Sequence, residues 1–226
     1  MIDHKNKLIF VHVPKCGGSS IERFFLQGVK FEWETPNYDI LYGWCPKRRI
    51  HLQHATATQL LDTELICDET WNSYYKFAFV RNPWDRAYSD YLWFQKELKI
   101  RDSFRNFLTN SGNFSQCLTD NSDKFYRGDH LYPQSDYFSE EGLYSLDYIG
   151  RFEHYADGIA HILNHLKIST PFEIHLKEGK YKGHYSRFYT KSRKRLVDSK
   201  YVQDIQRFNY SFEDRKSGLK LFKKLI

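Results

Sequence analysis

From Lys7 to Val13 the chain reads Lys-Leu-Ile-Phe-Val-His-Val, nearly continuously apolar and rich in β-branched residues. That pattern predicts a strand buried on both faces of a parallel sheet. Pro14 ends the run and Gly17-Gly18 turn the chain. Ser19 or Ser20 then stands as a cap before Ile21, Phe24 and Phe25, which recur at helical spacing. The same grammar returns at Tyr75 to Val80, a short apolar strand followed by Arg81-Asn82-Pro83, with Pro83 suited to the first turn of a helix running to about Leu98. Between the two units, Thr56 to Leu61 reads as a short capped helix entered from a loop holding His51 and His54.

Further along, Asp102 to Leu108 predicts another short capped helix, and Thr109 to His130, rich in Asn, Ser, Asp and Gly, a long surface loop. Tyr148 to Phe152 predicts a strand, with Arg151 and Glu153 paired beside it. Tyr155 to Leu166 predicts a helix with Ile159, Ile162, Leu163 and Leu166 on one face, and Lys191 to Phe208 a single last helix capped by Thr190 or Ser192. Alternation of strand and helix implies an α/β fold with right-handed crossovers and a central parallel sheet flanked by helices.

Composition narrows the picture only a little. A chain of 226 residues suits one domain, taken as 1–226, around one core. The formal charge of +6 points toward anionic partners without separating nucleotide, nucleic acid and acidic glycan. No basic n-region or long apolar segment stands at the N-terminus and no stretch reaches membrane-spanning length, so the expected location is cytoplasmic. Cys16, Cys45, Cys67 and Cys117 lie far apart with no zinc-ligand spacing, which predicts free thiols and no metal site.

The segment Pro14-Lys15-Cys16-Gly17-Gly18-Ser19-Ser20 carries the first chemistry. A buried strand entering a glycine turn and a helix N-terminus makes an anion site, because backbone N–H groups converge there and the helix dipole favours negative charge. The loop is P-loop-like, yet its lysine precedes the glycines instead of following them, which departs from G-x-x-x-x-G-K-[ST]. The second element has its own physical reading. Arg81 sits at a strand exit, and Arg86 and Ser89 lie three apart on the helix behind it, so Arg81 and Ser89 can converge on one phosphate. Arg86 is read as structural, paired with a carboxylate such as Asp90.

Together these residues resemble the sulfotransferases, and among them the carbohydrate branch that includes heparan-sulfate 2-O- and chondroitin-type enzymes. Val13 to Ser20 resembles the family's 5′-phosphosulfate loop, with Cys16 where Thr or Ser is more usual. Phe79 to Tyr91 resembles its 3′-phosphate element, R-x-P-x-x-R-x-x-S-x-Y. The resemblance implies a P-loop-like three-layer domain and 3′-phosphoadenosine 5′-phosphosulfate (PAPS) as donor, held by Lys15, Cys16, Gly17, Gly18, Ser19, Ser20, Arg81 and Ser89. It also implies a hydroxyl acceptor, a carbohydrate above all, and no required metal.

In-line sulfuryl transfer needs a base for the acceptor proton and positive charge near the leaving oxygen. Lys15 fits the second role. The segment Ile50 to Ala57 resembles the one that carries a catalytic His in this branch, and His54 takes the matching position, with His51 as competitor and Glu22 and Glu32 as outsiders. Lys182 and Tyr185 fall in a stretch that resembles the segment closing over the nucleotide, reaching the 3′-phosphate and the adenosine end respectively. Trp33, Trp44, Trp71 and Trp93 are candidate sugar platforms. Cys16, next to Lys15 and a helix N-terminus, is expected to have a lowered thiol pKa.

Two other readings compete. A nucleotide kinase or NTPase calls for magnesium and a Walker lysine. A non-catalytic basic module for an anionic polymer calls for steep salt dependence, and nothing beyond charge marks nucleic acid as a partner.

Overall fold

The computed structural model describes residues 1–172 and 183–217; Lys182 lies outside them. Strand β1 (Ile2–Asp3) turns back into β2 (Leu8–Phe10), whose three residues are fully buried. Asp3 organises the turn, accepting from Lys5 N at 2.9 Å and from Asn6 Nδ2 at 2.6 Å. So short a link cannot make a crossover, and β1 therefore pairs antiparallel with β2.

The chain then forms α1 (Gly18–Phe25), the ribbon β3 (Trp44–Cys45) and β4 (Ile50–His51), a 3-10 turn at Leu52–His54, α2 (Ala57–Asp62) and α3 (Asp68–Ser73). Helix α2 starts on the expected signal: Gln59 N donates to Thr56 Oγ1 at 3.1 Å and Thr56 N to Gln59 Oε1 at 3.0 Å. Strand β5 (Tyr75–Val80) enters beside β2 in parallel, Phe10 opposite Phe77, and its last four residues are buried, as a central strand covered on both faces requires. Helix α4 (Pro83–Lys96) follows. Asn82 Oδ1 caps it through Trp84 N and Asp85 N, and Pro83 occupies the first turn.

Helices α5 (Phe104–Leu108) and α6 (Ser115–Thr119) lead to 3-10 turns at Gly128–Leu131 and Gln134–Tyr137. The segment 109–130 is therefore built rather than an open surface loop. Phe114 and Leu118 fill the core, and Asp129 and His130 are buried polar residues. Strand β6 (Tyr148–Arg151) pairs parallel with β5, completing the order β1-β2-β5-β6 in the four-stranded sheet of an α/β fold flanked by helices. The central pairings β2–β5 and β5–β6 are parallel, as expected, and the antiparallel β1 at the margin makes the four-stranded sheet a mixed one. Helix α7 (Tyr155–His165) packs on β6.

The last predicted helix is two helices, α8 (Lys191–Lys200) and α9 (Val202–Arg207), broken at Tyr201. The break carries the fully buried Asp204 to the backbone of the 134–137 turn, where Gln134 N and Ser135 N each donate to it at 2.8 Å. The Arg151–Glu153 pair does not form. Glu153 accepts from Asn82 N at 2.6 Å, and Arg151 donates to Phe208 O at 2.5 Å. Among the described residues no helix is long and apolar enough to cross a membrane.

Candidate active site

Both expected phosphate elements emerge from the same edge of the sheet, at the C-terminal ends of β2 and β5. Gly17, not a serine, is the N-cap of α1. Its φ of 89° is a left-handed conformation suited to glycine, and it offers no side-chain cap. The helix therefore begins with N–H groups that no capping side chain covers, with Ser19 exposed and Ser20 half-buried in its first turn. The loop lies tight on its floor. A Cβ on Gly17 would stand 2.6 Å from Tyr155 Cε2, one on Gly18 would overlap the His12 ring, and Tyr155 donates its hydroxyl to Gly17 O at 2.9 Å.

Lys15, half-buried with φ 69°, sets its Nζ over the Trp93 ring at 5.5 Å. Arg81 joins the two elements: its NH1 donates to Lys15 O at 3.0 Å while Asp85 holds its Nε at 2.9 Å and NH2 at 2.8 Å. A guanidinium has five N–H groups, so these bonds leave donors for an anion. The Arg81 backbone is fixed in turn by Gln134, whose Oε1 accepts from Arg81 N at 2.8 Å and whose Nε2 donates to Arg81 O at 2.8 Å. Ser89 is half-buried on α4.

Two sequence expectations change here. Arg86 is structural as expected, but it pairs with carbonyls instead of Asp90. It is buried and donates to Pro14 O at 3.1 Å, Tyr132 O at 3.0 Å and His130 O at 2.8 Å, strapping the loop to the 128–132 segment. The Cys16 side chain turns inward to Pro14 O and Gln134 Oε1, and burial pushes its thiol up to about 12 rather than down; only its backbone is available to a ligand. Tyr185 is buried against Tyr189 and Phe212, and its hydroxyl accepts from Glu213 N at 2.9 Å.

The histidines form a second constellation beside the loop. His54, at the end of its 3-10 turn, keeps its side chain 12% exposed and holds Asp129 Oδ2 at 2.5 Å through Nδ1. Burial alone would raise the Asp129 carboxyl, but the His54, His130 and His51 imidazoles beside it carry it well below the usual carboxylate range. His54 meets His12 edge-on at 4.9 Å and His130 at 5.2 Å. His130 in turn stacks on Trp93 at 4.8 Å, the ring under Lys15, so that loop, lysine and His54 share one cluster. His12 bonds Glu22 Oε1 at 2.9 Å, both buried, which ties Glu22 into the floor of the loop; Glu32 is exposed and pairs with Lys30 at 2.6 Å.

His51 does not share the exposure of His54. It is buried, its Nε2 lies 3.1 Å from both Lys124 O and Tyr126 O, and burial, with Arg127 beside it, pushes its pKa down to about 3 against the pull of Asp129. Of the candidate platforms, Trp44 and Trp71 are core residues, whereas Trp33 and Trp93 are half-buried. Trp33 carries Arg127 at 5.1 Å and Lys124 at 5.8 Å over its ring, with Phe125 at 5.9 Å. Asp129, His130, His12 and Gln134 were not legible as site residues, since no local pattern marks them.

No curated protein and no solved structure matches the chain at the level of significant similarity. A family model described as "Sulfotransferase family" matches residues 1–211, which takes in the 14–20 loop, the 81–91 segment, the histidine cluster and the sheet that carries them. The chain belongs to the sulfotransferase family, whose members transfer sulfuryl groups.

Proposed function

We propose that this protein transfers the sulfuryl group of PAPS to a hydroxyl of a carbohydrate, with His54 as base. The observation that carries the reading is the hydrogen bond from Arg81 NH1 to Lys15 O, which sets the two phosphate elements side by side at one sheet edge. The uncapped N–H groups of α1, Lys15 and the hydroxyls of Ser19 and Ser20 suit the 5′-phosphosulfate end, and the remaining donors of Arg81 with Ser89 suit the 3′-phosphate.

In the reaction the acceptor oxygen forms a bond to sulfur as the bond from sulfur to the bridging phosphate oxygen breaks. 3′,5′-Adenosine bisphosphate leaves with the electron pair, and the acceptor proton passes to His54. Asp129 holds Nδ1 of His54, so the proton-accepting lone pair sits on Nε2. Lys15 stabilises the charge that develops on the leaving oxygen. Trp33 and Phe125 offer flat apolar faces for sugar rings, with Lys124 and Arg127 beside them for acidic substituents.

The test is transfer of labelled sulfate from PAPS to a panel of glycans and small alcohols without magnesium. Labelling of a glycan is expected. Labelling of small alcohols alone would remove the carbohydrate, and turnover of ATP but not PAPS would remove the donor.

A further inference from the structure

The sequence holds no metal-ligand spacing, yet the fold assembles a donor set from distant segments. His54, Asp129 and His130 each present one donor atom, and these atoms lie within 4.8 Å of one another. Two independent features of the cluster point to a ligand. The first is unmet bonding: Asp129 uses Oδ2 on His54, but among the described residues its buried Oδ1 has no hydrogen-bond partner, and neither has the buried Oδ2 of Asp90 behind His130. Native proteins seldom leave a buried carboxylate oxygen unsatisfied.

The second is the orientation of His130. Asp90 Oδ1 holds its Nδ1 at 2.8 Å, which leaves Nε2 as the ligating nitrogen. A carboxylate behind an imidazole in this way is how metal-binding histidines are aimed. Stacking on Trp93 fixes the same ring plane. Two imidazoles and one carboxylate match zinc and its first-row neighbours, whereas magnesium and calcium favour all-oxygen shells. Tetrahedral ligation uses bonds of about 2.0–2.1 Å, so the three side chains must adjust around the ion, and His54 Nδ1 and Asp129 Oδ2, now 2.5 Å apart, must give up the hydrogen bond between them.

We propose that His54, Asp129 and His130 form a binding site for a divalent transition cation of the zinc class, and that its occupation switches the enzyme off. His54 cannot ligate a cation and receive the acceptor proton at once. Binding stands independently of the donor reading; inhibition rests on His54 being the base.

Titration calorimetry of Zn2+ into the full chain, without donor, reads the binding, and visible ligand-field absorption of Co2+ reports the coordination shell. One equivalent should bind. Affinity should fall at least about tenfold in Asp129→Asn and in His130→Asn, each checked for folding by its thermal melt, and Mg2+ should give no heat. In the activity arm, saturating Zn2+ should remove most sulfuryl transfer and a chelator should restore it. No stoichiometric binding, or binding unchanged in the isosteric Asp129→Asn, would overturn the site. Binding as expected with full activity would overturn the switch, while absence of transfer from PAPS in metal-free protein counts against the donor reading alone.

Discussion

Asp129 Oδ2 lies 2.5 Å from Nδ1 of His54, a residue 75 positions earlier in the chain. The carboxylate is buried and ionised, so it fixes both the ring plane and the tautomer of an imidazole whose other edge is left for chemistry. His54→Ala should lower kcat by roughly 10²–10⁴, the usual contribution of a general base. Asp129→Asn should lower it at least about tenfold through misorientation. In both, calorimetric affinity for 3′,5′-adenosine bisphosphate should stay unchanged; a matching loss of affinity would point to a collapsed site instead.

Removing charge from the phosphate elements should act on the donor. Lys15→Ala and Arg81→Ala each delete charge-assisted hydrogen bonds worth about 1.5–3 kcal/mol, or roughly a 10- to 150-fold loss in affinity for 3′,5′-adenosine bisphosphate. Arg81→Ala should do so partly by releasing the Lys15 carbonyl that it holds. Unchanged calorimetric affinity in both variants would remove these residues from the donor site.

The floor of the loop leaves no room for growth. A methyl group at Gly18 would overlap the buried His12 ring, itself locked to Glu22. Gly18→Ala should therefore lower the melting temperature and weaken donor binding together, whereas Ser19→Ala, at an exposed position, should leave the melt within about 0.5 kcal/mol of wild type.

Stability should fall on mild acidification. His51 in the folded chain binds a proton only near pH 3, because burial disfavours its charged form, while in the unfolded chain it does so near pH 6.5. From about pH 6.5 down to about 3 the unfolded state therefore carries the extra proton, and stability drops with pH. The buried His12, also shifted down, adds to the same slope. Asp129, shifted down as a carboxylate, gives stability above about pH 4 that is lost below it. Urea midpoints between pH 7 and 4.5 should fall steeply in wild type and less steeply in His51→Gln; parallel slopes would contradict the assignment.

Thiol chemistry should follow burial, not proximity to the loop. Cys67 is exposed, and hydrogen bonds from Thr70 lower its pKa, whereas Cys16 is buried and raised to about 12. Mass spectrometry after brief iodoacetamide treatment should find Cys67 modified and Cys16 unmodified, with or without nucleotide. Early modification of Cys16 would show that the loop opens.

What the amino-acid sequence determined is local. The strand from Leu8, the turn at Gly17-Gly18, the capping box at Thr56 and Gln59, and the Asn82-Pro83 start of α4 each follow from interactions among residues a few positions apart. For that reason the order of strand, loop and helix, including the glycine turn after β2 and the Arg81-Asn82-Pro83 entry to α4, was legible. The tertiary structure decided the rest, because those features depend on which distant segments pack together. Only the docking of the 128–137 segment on α4 and α9 shows that Arg86 straps carbonyls, that Gln134 clamps Arg81, and that Cys16 faces inward. The same packing breaks the last helix at Tyr201, so that Asp204 reaches the Gln134 and Ser135 N–H groups. It also turns two histidines three residues apart into different groups: His51 is desolvated against carbonyls, and His54 stands at the surface of the cluster with a buried carboxylate behind it. Burial and long-range hydrogen bonding, which no short motif encodes, made that distinction.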